Sequence, residues 1–281
     1  MVTNFLEASN LMLRQFVCSS FFQTSRYMVI SVYNEGRNTS GGNMGILVQR
    51  EFTVTGDHRQ EFERQSRLGT WVKMRHNGAQ MIGFGGWAFG GRGDVVVTHS
   101  TYADFDHWTA TRPWGAFTTD PERTEETRHA SAIFAGRPRL IDHSRTKIIE
   151  YDNELSEPTP FYRNSGDELA SLPLTYGPQS ILAECRYRLR SGSEAEFREL
   201  SAETLWPWLR AHDARMVLYG KDLLAATDEV VELTAYRSIS EWHQLLTPTG
   251  DTEQVSARRQ SLIADRQTRL LMVQTDFGEK V

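Results

Sequence analysis

The chain has 281 residues, of which 39% are hydrophobic, 11% aromatic and 24% charged, the balance of an ordinary globular protein with material for two cores. Its net charge of −5 and the lack of a dense basic cluster argue against nucleic acid as a partner. Its two cysteines, Cys18 and Cys185, have no ligand-spaced neighbours, which argues against a disulfide framework or a zinc site and points to a reducing, cytoplasmic setting.

Residues 1–43 read as a poorly ordered extension. The apolar run near Leu11–Ile30 is broken by Arg14 and Arg26, too interrupted to span a bilayer, and it lacks the basic-apolar-cleavage order of a signal peptide. Asn34–Asn43 is rich in Gly, Ser and Asn, and translation starting at Met44 is an alternative.

From Ile46 the chain says one thing twice. The stretch Ile46–Val96 returns 135 residues later as Ile181–Val231. Ile46-Leu47, Glu61-Phe62, Ser66, Trp71, Arg75, Ala79, Met81, Gly85 and Val95-Val96 all recur. That is about twelve identities in roughly fifty positions, against about three by chance. After a one-residue slip, Tyr102-x5-Trp108 echoes as Tyr236-x5-Trp242.

Each copy predicts the same elements in order. Ile46–Val54 and Ile181–Leu189 alternate as strands with one apolar face, with Leu47, Gln49 and Glu51 or Glu184, Arg186 and Arg188 on the other. A turn at Gly56-Asp57 or Ser191-Gly192 leads into a helix ending near Arg75 or Arg210, with Ser193 and Glu196 at capping-box spacing. Strands follow at Gln80–Phe84 and Asp94–His99, or Arg215–Tyr219 and Glu229–Ala235. A second helix is expected near Tyr102 or Ser238, capped by Asp104 or Ser240. Helical sequence (Glu122–Phe134, Thr252–Asp265) and a closing strand (Arg145–Tyr151, Arg269–Thr275) complete each unit. The order is βαββαβ twice, so the fold class is α+β, two tandem ferredoxin-like domains. One sheet face is covered by helices; the other needs a partner, and the second copy is the obvious one. The domains are then 44–152 and 181–281, joined by a proline-bearing linker over 153–180.

This unit, with an aromatic-bearing first helix, a Gly-flanked hairpin, Tyr-x5-Trp and a long helical tail before its last strand, resembles the NIPSNAP family over about 230 residues from Gly45 on. The resemblance implies a dimeric α/β-barrel formed within one chain. It also implies a superfamily of cofactor-free monooxygenases, cyclases, isomerases and haem enzymes, so fold alone decides little about chemistry.

The copies differ in ways that favour a site in the first. Six of eight histidines and four of seven tryptophans fall there, and its hairpin is the Gly-rich Gly83–Gly93. Candidate catalytic residues are His99 on a strand and His76 with Arg75 at a helix end; the alternatives are a structural histidine and dipole-complementing side chains. Trp87, Trp114, Tyr102 and Phe84 are candidate substrate-binding residues, since Trp87 and Trp114 do not recur. His107 reads as part of a solvated helix face. Gly83-x-Gly85-x-x-Ala88 leads into a hairpin rather than a helix, so it is no dinucleotide fingerprint.

Two functions are expected from this reading. One is a small-molecule tailoring or catabolic enzyme that acts on an apolar or aromatic substrate without metal or nucleotide, by isomerisation, dehydration, cyclisation or cofactor-free oxygenation. The other is a non-catalytic ligand-binding or protein-interaction module. A haem-dependent barrel is the third alternative, no membrane span is expected, and homo-oligomerisation is left open.

Overall fold

A strand that is apolar on one face and mixed on the other must bury both faces if neither meets water, and a closed barrel wrapped in helices does so. The computed structural model describes residues 44–111, 125–158 and 178–274. The N-terminal extension, Trp114 and most of the expected linker lie outside them. Eight antiparallel-paired strands close a barrel: β1 (Met44–Val54), β2 (Gln80–Phe89), β3 (Val95–Tyr102), β4 (Ile141–Asp152), β5 (Ile181–Leu189), β6 (Arg215–Asp222), β7 (Glu229–Tyr236) and β8 (Ile263–Val273). Their order is β1-β3-β2-β8-β5-β7-β6-β4. The first half supplies β4-β1-β3-β2 and the second β8-β5-β7-β6, with seams at β2–β8 and β4–β6. The fold is thus mixed α/β, an eight-stranded barrel with helices outside.

The barrel interior holds Leu47, Val97, Ile149, Leu182, Val231 and Leu271 among its buried residues. Ile46, Val48 and Phe52 face outward, under Phe62, Trp71 and Met74 of the first-half helices. Ile181, Ala183 and Tyr187 do the same under Phe197, Trp206 and Leu209 in the second half. The polar strand face of the sequence reading therefore points into the barrel, where Gln49 and Glu184 are 1% exposed.

The outer helix of each half is interrupted at the same place. α1 (Arg59–Gln65) passes through a π segment, Ser66–Trp71, into α2 (Val72–His76). The first half continues with α3 (Phe105–Ala110), α4 (Glu125–Ala135) and a 3-10 turn, Arg137–Leu140. In the second half α5 (Glu194–Leu200) passes through Ser201–Leu205 into α6 (Trp206–Ala211), and α7 (Ile239–Gln244) and α8 (Asp251–Ser261) follow. Ser66 Oγ donates to the Phe62 carbonyl at 2.8 Å and Ser201 Oγ to the Phe197 carbonyl at 2.6 Å, each sharing that acceptor with the serine's own backbone N–H.

Several expectations are corrected. Ser193 precedes α5 without a side-chain cap, and Ser238 rather than Ser240 caps α7, accepting from Glu241 N at 3.1 Å. Asp104 does cap α3, accepting from His107 N at 2.7 Å. Tyr102 ends β3 instead of opening a helix, and β4 and β8 begin earlier than expected because they pair with β1 and β5 along nearly their whole length.

The slip between copies also falls earlier. Gln49 stands opposite His99 and Glu184 opposite Leu233, while Gly85 pairs with Val97 and Gly220 with Val231. The offset is thus still 135 in β2 but 134 in β3, so the residue is lost in the β2–β3 connection. His99 corresponds to Leu233, and Thr98 corresponds to Glu232.

Gly85 and Gly220 occupy equivalent positions at the two seams. A Cβ at Gly85 would collide with the Met272 carbonyl oxygen, and one at Gly220 with that of Glu150. Neither obstacle is a flexible side chain, so closure requires glycine at both. Gly85→Ala is expected to cost at least ~2 kcal/mol in denaturant unfolding, while Gly86→Ala, whose Cβ would meet only ordinary contacts starting at 3.6 Å, should be near neutral. Equal effects of the two would contradict this account of the seam.

Candidate functional site

Two polar places stand out, one inside the barrel and one outside it. Inside, the Glu184 carboxylate accepts from Gln49 Nε2 at 2.5 Å, Arg186 Nε at 2.7 Å and Arg269 Nη2 at 2.7 Å. Arg186 also pairs with Asp222 and Glu229, both at 2.9 Å, and Arg269 with Glu51 at 2.6 Å. Trp87 lies in this interior with the Arg269 guanidinium 4.0 Å from its ring centroid, which gives it a stacking role beside a buried cation.

His99 belongs to the same network. It is fully buried, with Nε2 3.1 Å from Gln49 Nε2 and Nδ1 without a hydrogen-bond partner. Because Gln49 gives its amide hydrogens to Glu184 and His99, the imidazole accepts at Nε2 and carries its proton on Nδ1. Gly83 makes room for it: a Cβ there would come within 3.1 Å of Nδ1, and the second half has the Leu218–Leu233 pair in place of Gly83–His99. Burial holds His99 down to about 4; Glu184 opposes this, and Arg269 and Arg186 add to it. Burial alone would raise Glu184, but Arg269 and Arg186 outweigh it and bring the carboxyl to about 2.

Outside the barrel, a cavity of about 130 Å³ lies in the first half between the outer sheet face and the helices. Its polar lining is Arg50, Ser66, Thr70, Thr98, Ser100 and Arg137. Phe52, Met74, Met81, Phe134 and Ile141 supply apolar walls. Arg137 is 5% exposed and donates from Nη1 to Ser66 Oγ at 2.7 Å and to the Phe62 carbonyl at 3.3 Å. Its guanidinium lies 3.8 Å from the Phe62 ring centroid and 5.3 Å from that of Phe52. No carboxylate of the described residues pairs with it. Burial, and then the Arg50 charge, pull Arg137 down to about 9. Thr70 Oγ1 is buried at the cavity wall with no hydrogen-bond partner.

The candidates named from sequence are not brought together. His99 and Trp87 are inside the barrel. His76 is exposed at the end of α2 beside half-buried Arg75, on the other side of the sheet. Phe84 and Tyr102 belong to the outer apolar layer with Phe52, Met74 and Met81, but do not line the cavity. His107 is occupied structurally, with Nδ1 accepting from Ala103 N at 3.0 Å and Nε2–H donating to the Asn77 carbonyl at 2.5 Å. Arg137, missed in the sequence reading, had a signal: Arg137-x-x-Leu140-Ile141 recurs as Arg259-x-x-Leu262-Ile263.

Among the described residues no group of three or more His, Cys, Asp or Glu is placed to hold a metal ion, and no helix is long and apolar enough to cross a membrane. Haem does not fit the cavity: no histidine of the described residues lines it, and 130 Å³ is below the roughly 300–1,000 Å³ of sites for drug-sized ligands.

No family model matches the chain, nor does any curated protein. Its structural neighbours include dimeric α/β-barrel monooxygenase-like proteins and NIPSNAP-family proteins. A monooxygenase-like protein of Lactobacillus acidophilus matches with TM-score 0.55 and 9% identity, over 81% of this chain and 93% of that one. One of Fusobacterium nucleatum matches with TM-score 0.52 and 11% identity, over 82% and 92%. A NIPSNAP-family protein of Agrobacterium tumefaciens is 21% identical over 36% of this chain and 91% of its own, with TM-score 0.32. At these identities the first two show the fold that this chain shares, and not its chemistry.

The interior network makes stability depend on acid. An unfolded histidine titrates near 6.5 while His99 holds off its proton to about 4, so the unfolded chain binds more protons between those values. Stability is then complete above about 6.5 and falls as pH drops through that window; Glu184 extends the loss from its unfolded 4.5 towards 2. His99→Leu, copying Leu233, is expected to lose about 2–3 kcal/mol less than the unaltered chain between pH 7 and pH 4 in denaturant titrations. Parallel pH profiles would contradict the placement of a neutral buried imidazole.

Proposed function

We propose that the chain binds a small organic molecule in the first-half cavity, with the two halves acting as tandem ferredoxin-like units, the first holding the site and the second serving as scaffold. The observation that carries this is the cavity itself, a partly enclosed space with apolar walls and a guanidinium that no carboxylate of the described residues neutralises. Two guanidiniums can stabilise an anionic ligand or an enolate-like form that develops during reaction. Among the described residues no histidine, aspartate or glutamate lines the cavity, which speaks against proton abstraction by a cavity-wall residue of this set. Within the tailoring or catabolic enzyme reading, the favoured chemistry is therefore one in which a substrate's own anionic form reacts, as in cofactor-free oxygenation. That same lack of a base supports the non-catalytic binding module as the second reading.

A thermal-shift screen of small organic molecules tests the site. Compounds that raise the melting temperature of the unaltered chain should fail to raise that of Ser100→Leu, which narrows the cavity from β3. Hits that stabilise both alike would place binding elsewhere and overturn the assignment.

A further inference from the structure

The second half contains its own version of this site, and it is filled. Arg259 sits on Phe197 and Tyr187, at 4.0 and 4.9 Å from the ring centroids, much as Arg137 sits on Phe62 and Phe52. The ring pairs match as well: Phe52–Phe62 centroids are 5.2 Å apart and tilted 55°, and Tyr187–Phe197 centroids 5.3 Å apart and tilted 56°. Arg259 donates from Nε to Ser201 Oγ at 2.7 Å, as Arg137 donates to Ser66 Oγ. One group differs. Arg259 Nη2 is 2.6 Å from a Glu232 carboxylate oxygen, and the register places Thr98 where Glu232 would be in the first half. Thr98 and Arg137 both line the cavity.

We propose that the first-half cavity takes a small carboxylic acid with an apolar or aromatic body, its carboxylate on Arg137 in the place Glu232 occupies on Arg259. The Glu232–Arg259 pair acts as an internal template for the missing group. A carboxylate delivered there would relieve a buried, unneutralised cation, and Thr70 Oγ1 is a further buried donor at the wall. Phe52, Met81 and Phe134 then contact the body of the ligand. By probe size the space suits roughly ten non-hydrogen atoms, about a single ring with its acid group. This rests on the reading of the cavity as the ligand site.

The test uses the full chain with benzoate as probe and benzyl alcohol as its uncharged counterpart, measured by calorimetry and by NMR titration. Benzoate is expected to bind one to one and at least tenfold more tightly than benzyl alcohol. Arg137→Gln should lose that preference. Thr98→Glu, which copies the second half, should abolish benzoate binding and raise the melting temperature by several degrees, because it supplies the carboxylate permanently. If benzyl alcohol binds in the cavity as well as benzoate, the site stands and the carboxylic-acid class is overturned. If neither binds and Thr98→Glu lowers the melting temperature of a folded chain, both the class and the site are overturned.

Discussion

Everything in this barrel is arranged around one buried carboxylate. Glu184 takes hydrogen bonds from two guanidiniums of its own half and from Gln49 of the other, while Arg269 reaches across to Glu51. Gln49 and Glu184 are 135 residues apart, the repeat offset itself, so the same position of the duplicated strand meets its own copy across the interior. A carboxylate with this little water is tolerable only when its charge and lone pairs are matched, and removing one partner of such a pair typically costs ~3–5 kcal/mol. The constraint fixes how the halves face each other. With apolar side chains, this network and Trp87 filling the interior, the cavity described above lies on the outer face, under the helices.

On that outer face the halves kept the same architecture and diverged in charge. In both, a π segment at a serine brings a hydroxyl to an arginine, and the arginine lies on an aromatic pair. The second half completes the set with Glu232 and buries it as scaffold. The first half has Thr98 there, and a cavity. An arginine buried against aromatic faces is ordinarily stabilised by a partner carboxylate; where none is supplied by the described residues, an anionic ligand is the physical complement.

Much of the fold was legible in the sequence because duplication shows each element twice. Alternation at Ile46–Val54 and Ile181–Leu189 located the strands and named the outward apolar set correctly. What alternation could not show was that Gln49, Glu184 and Arg186 face a closed interior, because a polar strand face reads the same whether it meets water or a matched set of charges. The site was less legible for a related reason. Histidine counts drew attention to His99 and His76, which lie on opposite sides of the sheet. The one-residue slip lies in the β2–β3 connection, and carrying the full repeat offset on through Val95-Val96 hid the Thr98–Glu232 difference. Arg137 could have been found from the recurring Arg-x-x-Leu-Ile before the last strand of each half, but a lone arginine at a helix end carries no chemistry until its partner's absence is seen.

The central claim is that one site exists twice, open in the first half and filled in the second. The most direct measurement is a crystal structure, with benzoate, of the doubly exchanged chain carrying Thr98→Glu and Glu232→Thr. Benzoate is expected beside Arg259 in the second half, with the carboxylate introduced by Thr98→Glu seated on Arg137 in the first. Benzoate still in the first half, or that introduced carboxylate turned away from Arg137, would contradict it.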